Sequence, residues 1–483
     1  MNTKLPITDA HYKCVEDYVE NQPLTTYQKA SARAIEAFND LKFSVRIHFG
    51  LYSILNQSGE SWPFLHMNYQ KKAEYMQLIN RFCPVNFDAE KWIAFFKQSG
   101  AKGVAFTAKH HEGFSLFDTD TRVHRRINWN APGGPCLEEC NTAFSVMESP
   151  FKRDIVKELC DAAHRHGLAI DLYYSHPDWY DADFAPFCSH PMTTTDQQEL
   201  MSLEEYEESL GFPFKYHGSI NDEQAYERMM TRHRRQIEEL LTHYGKIDML
   251  CFDMWLGKKV WPALRDTLFY ARSLQKDCMF RARGIGNYGD YYTPERFIPD
   301  APENTDMPWM VIHPLGRSFS YDKNASDYKG AGWIIQNLLD CTSKGGNFMV
   351  GIGPDATGAF HPEAIKQMEE AGRWLNINGQ AIYGTRMLDR FYYQDHFKDG
   401  SATYYCVPKD RSCIYGISFG VMPHPLNLSR LLGDQAKIEL LTPEGFIPVE
   451  PTKKDDRLEI SVLDSRAAYG GDSFCAKVLR ITR

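Results

Sequence analysis

The feature that most constrains this chain is a repeated unit. A short apolar strand ends in a polar or ionisable residue, and an amphipathic helix follows. The strands read as FSVRIHFGLYS (Phe43 to Ser53), GVAFTA (Gly103 to Ala108), LAIDLYYS (Leu168 to Ser175), IDMLCFD (Ile247 to Asp253), CMFRAR (Cys278 to Arg283) and NFMVGIG (Asn347 to Gly353). Helices are predicted between them. Phe87 to Ser99 places Trp92, Phe95 and Phe96 at i, i+3 and i+4, with Asp88 as its N-terminal cap. Arg153 to His166 is ended by Gly167, and Glu223 to His243 is stopped by Gly245. Val260 to Gln275, Trp333 to Cys341 and Glu363 to Asn376 complete the set.

Strand–helix alternation over roughly 350 residues implies βα units around a parallel sheet. No Gly-rich phosphate loop opens any helix, which disfavours a nucleotide-binding doubly wound sheet. Polar residues cluster at the C-terminal ends of the strands, where a barrel keeps its active site. The expected fold is α/β. A TIM-like (β/α) barrel with a peripheral N-terminal helical arm fills residues 1–386. An all-β sandwich fills residues 387–483, where CIYGISFG, AKIELL, RLEISVL and FCAKVLRI alternate with turn residues.

The chain has 483 residues, too many for one ordinary domain. Its net charge of −9 is spread out rather than gathered into a basic face, which excludes the usual nucleic-acid partner. No apolar stretch is long enough to span a bilayer. The N-terminal MNTKLPITDAHYK lacks the apolar core of a signal peptide, so the expected location is cytoplasmic, or one reached after a signal is removed. Of the 12 cysteines only Cys136 and Cys140 are closely spaced, and no zinc-finger partner pair follows them.

Single residues leave alternatives open. Asp253 closes the apolar strand MLCFD. A carboxylate there is costly to bury unless paired or used, and a cap or ion pair explains it as well as catalysis does. Glu295, in GDYYTPE, reads equally as the first turn of a helix, since Thr293-Pro294-Glu295 suits one. In KHHEGF, His110 and His111 could ligate a metal, hydrogen-bond a ligand or simply pack; the helical i, i+4 spacing of a metalloprotease is absent. His48, Tyr173 and Arg283 lie at or near strand ends, where packing or a salt bridge is the ordinary role. Aromatic residues, at 13%, suit a carbohydrate cleft and a large core alike.

Taken together the ordered segments resemble glycoside hydrolase family 29, the retaining α-L-fucosidases, over about residues 43 to 386. The motifs that carry the resemblance are HFGLYS, KHHEGF, YYSHPDW, CFD, RGIGNYGDYYTPE, GGNFMVGIGPDATG and NGQAIYGTR. The resemblance implies that Asp253 is the nucleophile and Glu295 the acid/base. It implies that His48, His110, His111, Tyr173 and Arg283 hold the sugar. It requires neither metal nor organic cofactor. The implied substrate is a fucosylated oligosaccharide or glycoconjugate; its aglycone, its linkage and the oligomeric state are left open.

Three positions depart from the family pattern. Cys251 replaces the tryptophan two residues before the nucleophile, which leaves a sugar-facing plane missing or supplied from elsewhere, Trp255 being the candidate. The usual Glu-Trp is loosened to Glu60-Ser61-Trp62, and Gly351 stands for an asparagine. Two rivals follow: the same machinery on an α-L-galactoside, or a carbohydrate-binding protein on a decayed enzyme fold. Retention of both carboxylates argues against the second. The charged insertion from Pro177 to Asn221 is expected to shape the leaving-group subsite.

Overall fold

The structure, a computed structural model, describes residues 10–192, 221–302, 305, 307–398, 400–419, 424–426, 436–450, 452–454, 457–460 and 476–482. Among the described residues nine strands occupy the first part of the chain: β1 Phe43–Ile47, β2 Gly103–Lys109, β3 Val123–Asn128, β4 Cys136–Thr142, β5 Ala169–Ser175, β6 Met249–Asp253, β7 Met279–Phe280, β8 Met310–Pro314 and β9 Asn347–Ile352. Seven of them form one curled parallel sheet in the order β7-β6-β5-β2-β1-β9-β8. Every residue of β1, β2 and β6 is buried, as a parallel sheet covered on both faces demands.

The edge strands β7 and β8 are linked through the extended segment 291–295. Parallel bridges join Arg281 to Tyr291, Tyr292 to Trp309 and Glu295 to Ile312. The result is barrel-like. Its inner face is filled by Ala105, Met249, Met279, Tyr291, Met310, Ile312 and Met349, and the methionines adapt to the irregular space. The helix Ala32–Leu41, capped by Ser31, drives Phe38 and Leu41 into the same cluster from the N-terminal ends of the strands.

The expected helices form at Ala89–Gln98, Ile155–His166, Glu223–Thr242, Trp261–Leu274, Ala331–Ser343 and Pro362–Asn378. Asp88 accepts from the Lys91 amide, and Gly167 takes φ 68° at the C-terminal cap. Three differences have physical causes. The N-terminal arm is not peripheral: Tyr12, Val15 and Val19 make an apolar stripe that is buried, and the Tyr27 hydroxyl donates to the Tyr288 carbonyl at 2.9 Å. The hairpin β3–β4, which carries Cys136 and Cys140 as free thiols, has no alternating apolar signal because VHRRIN and CLEECNT are largely polar. The first strand stops at Ile47, and a 3₁₀ turn, Leu51–Leu55, follows.

From Thr385 the chain builds an antiparallel sheet in the order 385–387, 402–408, 414–419, 476–482, 437–442 and 445–448, with Gln394–His396 paired to Ala402–Pro408. A separate three-stranded sheet joins 424–426, 457–460 and 452–454. The Trp374 indole donates to the Ala476 carbonyl at 3.0 Å and ties the larger sheet to the helix Pro362–Asn378. Among the described residues no helix is long and apolar enough to cross a membrane. The first part of the Pro177–Asn221 insertion packs inward through Trp179, Phe184 and Phe187; residues 193–220 of it lie outside the described residues.

Candidate active site

Parallel register sets the site. Tyr173 lies opposite Cys251, and Ser175 opposite Asp253, so the side chains two residues apart on β5 and β6 share a face. Asp253 is the last residue of β6. Its Oδ2 accepts from the Tyr173 hydroxyl at 2.7 Å, and its Oδ1 accepts from Arg283 Nη1 at 2.7 Å. Arg281 Nη1 stands 3.5 Å from Oδ1, and His111 Nε2 stands 3.6 Å from Oδ2. Burial alone pushes this carboxyl up. Arg283, Arg281, His111 and the Tyr173 hydrogen bond together outweigh it and hold the group well below the usual carboxylate range.

Glu295 reaches the same place from another segment. Thr293-Pro294-Glu295 is extended and pairs with β8, so the reading of these residues as a helix first turn does not hold. Glu295 Oε2 accepts from Arg283 Nη1 at 2.9 Å, the very nitrogen that binds Asp253. The nearest oxygens of the two carboxylates therefore cannot lie further apart than those two bonds laid end to end. Burial and the Asp253 charge do act upward, but Arg283, helped by Arg281, prevails and holds Glu295 below its ordinary value.

Both adjacent histidines lie beyond the end of β2, each with one ring nitrogen engaged by a serine. His110 Nδ1 meets Ser61 Oγ at 2.5 Å, and His111 Nδ1 meets Ser175 Oγ. The His110 ring stacks on Tyr173 at 5.3 Å, and Trp62 meets the edge of His111 at 4.8 Å. Burial, then the neighbouring cations, keeps His48 neutral; burial, then His110, does the same for His111. Neutral imidazoles of this kind exchange hydrogen bonds with hydroxyl groups without adding charge. Among the described residues no three His, Cys, Asp or Glu side chains converge as a metal site would require.

A cavity of about 110 Å³ opens between these groups, lined by His48, His110, Tyr173, Asp253, Arg283 and Glu295. His111 stands behind it against Asp253. Arg46, Glu60, Trp62, Arg281, Arg296, Ile312 and Phe319 also line it, and of these sequence reasoning puts only Glu60 near the cleft. The loosened Glu60-Ser61-Trp62 was the signal for two of them. Glu60 is fixed by Ser318 Oγ at 2.6 Å and the Ser320 amide at 2.9 Å. Phe319 stacks on His48 at 4.9 Å and occupies the space beside Gly351, where an added Cβ would meet its ring at 2.4 Å. Besides Tyr173 the aromatic walls are thus Trp62 and Phe319, and Trp255 is not among the lining residues. Cys251, where the family pattern has tryptophan, accepts from Arg281 Nη1 at 3.2 Å.

The backbone turns sharply after each key side chain. Met254, Gly284 and Arg296 directly follow Asp253, Arg283 and Glu295, and all three are left-handed, with φ of 59°, 76° and 64°. For Met and Arg this costs roughly 1–2 kcal/mol each. At Gly284 an added Cβ would meet the Met254 carbonyl oxygen at 2.2 Å, so only glycine fits.

Known proteins similar to this chain point one way. A family model described as Alpha-L-fucosidase matches residues 13–380. The Alpha-L-fucosidase of Dictyostelium discoideum is 23% identical over 471 residues, covering 91% of this chain and 91% of that protein. The Plasma alpha-L-fucosidase of Homo sapiens is 27% identical over 376 residues, covering 74% of this chain and 72% of that protein. Among solved structures, alpha-L-fucosidase isoenzyme 1 from Paenibacillus thiaminolyticus superposes with a TM-score of 0.73 at 25% identity, over 93% of this chain and 98% of that one.

Proposed function

Since this chain belongs to the alpha-L-fucosidase family, we propose that it is an exo-acting glycoside hydrolase that removes terminal α-L-fucosyl residues from oligosaccharides or glycoconjugates with retention of configuration. Asp253 attacks the anomeric carbon and forms a glycosyl-enzyme intermediate. Glu295 protonates the leaving oxygen, then takes a proton from the water that resolves the intermediate. His48, His110, His111, Tyr173 and Arg283 hold the sugar through hydrogen bonds. The chain divides after residue 386 into a (β/α) barrel and a β-sandwich.

One observation carries this reading: a single nitrogen of Arg283 binds both Asp253 and Glu295. Two carboxylates that share one guanidinium nitrogen suit the roughly 5–5.5 Å spacing of a retaining pair better than the roughly 6.5–9.5 Å that an inverting pair keeps for its water. Arg283 opposes the protonation of Glu295, and a sugar seated between the two carboxylates relieves this by taking the guanidinium hydrogen bond for itself. Proton NMR of the first-formed sugar tests the mechanism. The α anomer is expected before mutarotation, and an initial β product rules the double displacement out.

A second reading, the same machinery on a sugar oxygenated at carbon six, is favoured by Cys251. With Arg281 against its sulfur, this part of the cavity is cationic rather than aromatic. Comparing 4-nitrophenyl α-L-fucoside with the matching α-L-galactoside separates the two. A pocket that merely tolerates an added hydroxyl discriminates by only about 10²-fold.

A further inference from the structure

Glu295 has two oxygens, and they face different ways. Oε2 is held by Arg283 Nη1 on the side of Asp253, the sugar side. Oε1 is the oxygen that faces Arg296, whose Nε lies 4.0 Å away. Side-chain exposure rises along the same line, from 5% at Arg283 through 31% at Glu295 to 47% at Arg296. A general acid stands beside the leaving oxygen, so what lies beyond it, toward solvent, faces the leaving group. Arg296 is there.

Arg296 is also held in place. Its backbone is left-handed and its amide donates to the Ile312 carbonyl at 2.9 Å, which ties it to β8. Its guanidinium lies 4.8 Å over the Phe319 ring, which lines the cavity, and Nη1 reaches the Arg317 carbonyl at 3.4 Å. Glu295 is the one carboxylate within ion-pair reach of it among the described residues, and Glu295 is already engaged by Arg283. The positive charge at the mouth therefore has no carboxylate of its own at closer range. A planar, multidonor cation fixed on an aromatic face is well suited to an anionic oxygen group.

We infer that Arg296 is a specificity-determining residue of the leaving-group subsite and selects fucosides whose aglycone carries an anionic substituent, a sulfate or a sugar carboxylate. The inference rests on the reading of Glu295 as the acid.

The test uses the full chain and fucosylated oligosaccharides of one linkage in three forms: neutral, sulfated on the aglycone, and sialylated on the aglycone. At low salt, kcat/KM for an anionic form is expected to exceed the neutral one by about three- to tenfold, as for a partly exposed charge contact. The ratio should fall toward one as ionic strength rises, and in Arg296→Gln; Arg296→Lys, which keeps the charge but not the planar donor fork, should retain only part of it. The sulfated and sialylated arms show which anion is read. A ratio at or below one in the unaltered protein overturns the inference, as does an equal loss on all three substrates in Arg296→Gln. Hydrolysis of 4-nitrophenyl α-L-fucoside separates the two levels. Turnover without anionic preference sinks the role of Arg296 alone, while no turnover of any fucoside sinks the functional reading with it.

Discussion

Two cavities lie at opposite ends of the parallel sheet. The one at the C-terminal strand ends measures about 110 Å³; the one at the N-terminal ends, beside the helix Ala32–Leu41, measures about 330 Å³. The larger is lined by Ala34, Ala37, Phe38, Leu41, Ala169, Met249 and Met279, and its charges, Arg33, Lys246, Asp248 and Asp277, are solvated at the rim. The smaller gathers carboxylates, guanidinium groups and imidazoles that are mostly buried, with Glu295 and Arg296 opening toward solvent. Volume does not mark the working end. Ionisable groups held out of water against each other do, because such an arrangement is costly unless it is used.

The contrast can be tested from both ends. Asp253→Ala should lower kcat on an aryl fucoside by roughly 10⁴-fold or more, since no other group can form the covalent intermediate there. Circular dichroism must show an intact fold, and activity above a trace would place the nucleophile elsewhere. Glu295→Ala should reduce hydrolysis of natural oligosaccharides by about 10²–10⁴-fold. Fucosides of acidic phenols should suffer less, release a burst of phenol, and be accelerated by azide to give the β-linked fucosyl azide. Equal loss on good and poor leaving groups, with no azide product, would make Glu295 structural.

At the other end, Phe38→Ala should cost about 3–5 kcal/mol of stability in denaturant unfolding, while kcat/KM of the folded fraction stays unchanged. A large change in kcat/KM would show that the two ends are coupled. The pH profile sharpens the upper end. The proposed mechanism needs Asp253 ionised and Glu295 protonated. Arg283 lowers Glu295 in the empty site, so protonated Glu295 is lost as pH rises through that depressed value in the free enzyme. The alkaline limb of kcat, which reports the occupied site, should lie at higher pH than that of kcat/KM. Coincident limbs would mean that Arg283 keeps its hold during turnover. The smallest effect is expected for Arg33→Ala at the lower rim, within about 0.5 kcal/mol in stability and without change in kcat/KM.

The parallel sheet and its helices were legible because their signals are local: apolar runs, a capping aspartate at position 88, a stopping glycine at 167. The seven expected site residues converge because strand ends bring them together, and the order of motifs pointed to them. Arg46, Arg281 and Phe319 were not legible. Phe319 earns its place only through Gly351, thirty-two positions on, whose missing side chain leaves room for the ring. Arg281 reads as a strand residue until the register shows that it faces Asp253. The hold of Arg283 on Glu295 was not legible for a related reason: the two side chains sit on different segments, and the sequence gives no measure of their approach.

The three left-handed turns that follow Asp253, Arg283 and Glu295 have a consequence for how such a protein can change over generations. A side chain at position 284 collides with the Met254 carbonyl, so that position is closed to substitution. Positions 254 and 296 hold residues that pay a backbone penalty, so glycine and asparagine are accessible there and β-branched residues are not. Drift around the site is thus channelled: position 284 stays glycine, while the side chain at 296 can change among residues that accept the left-handed turn, and with it the aglycone preference proposed for Arg296.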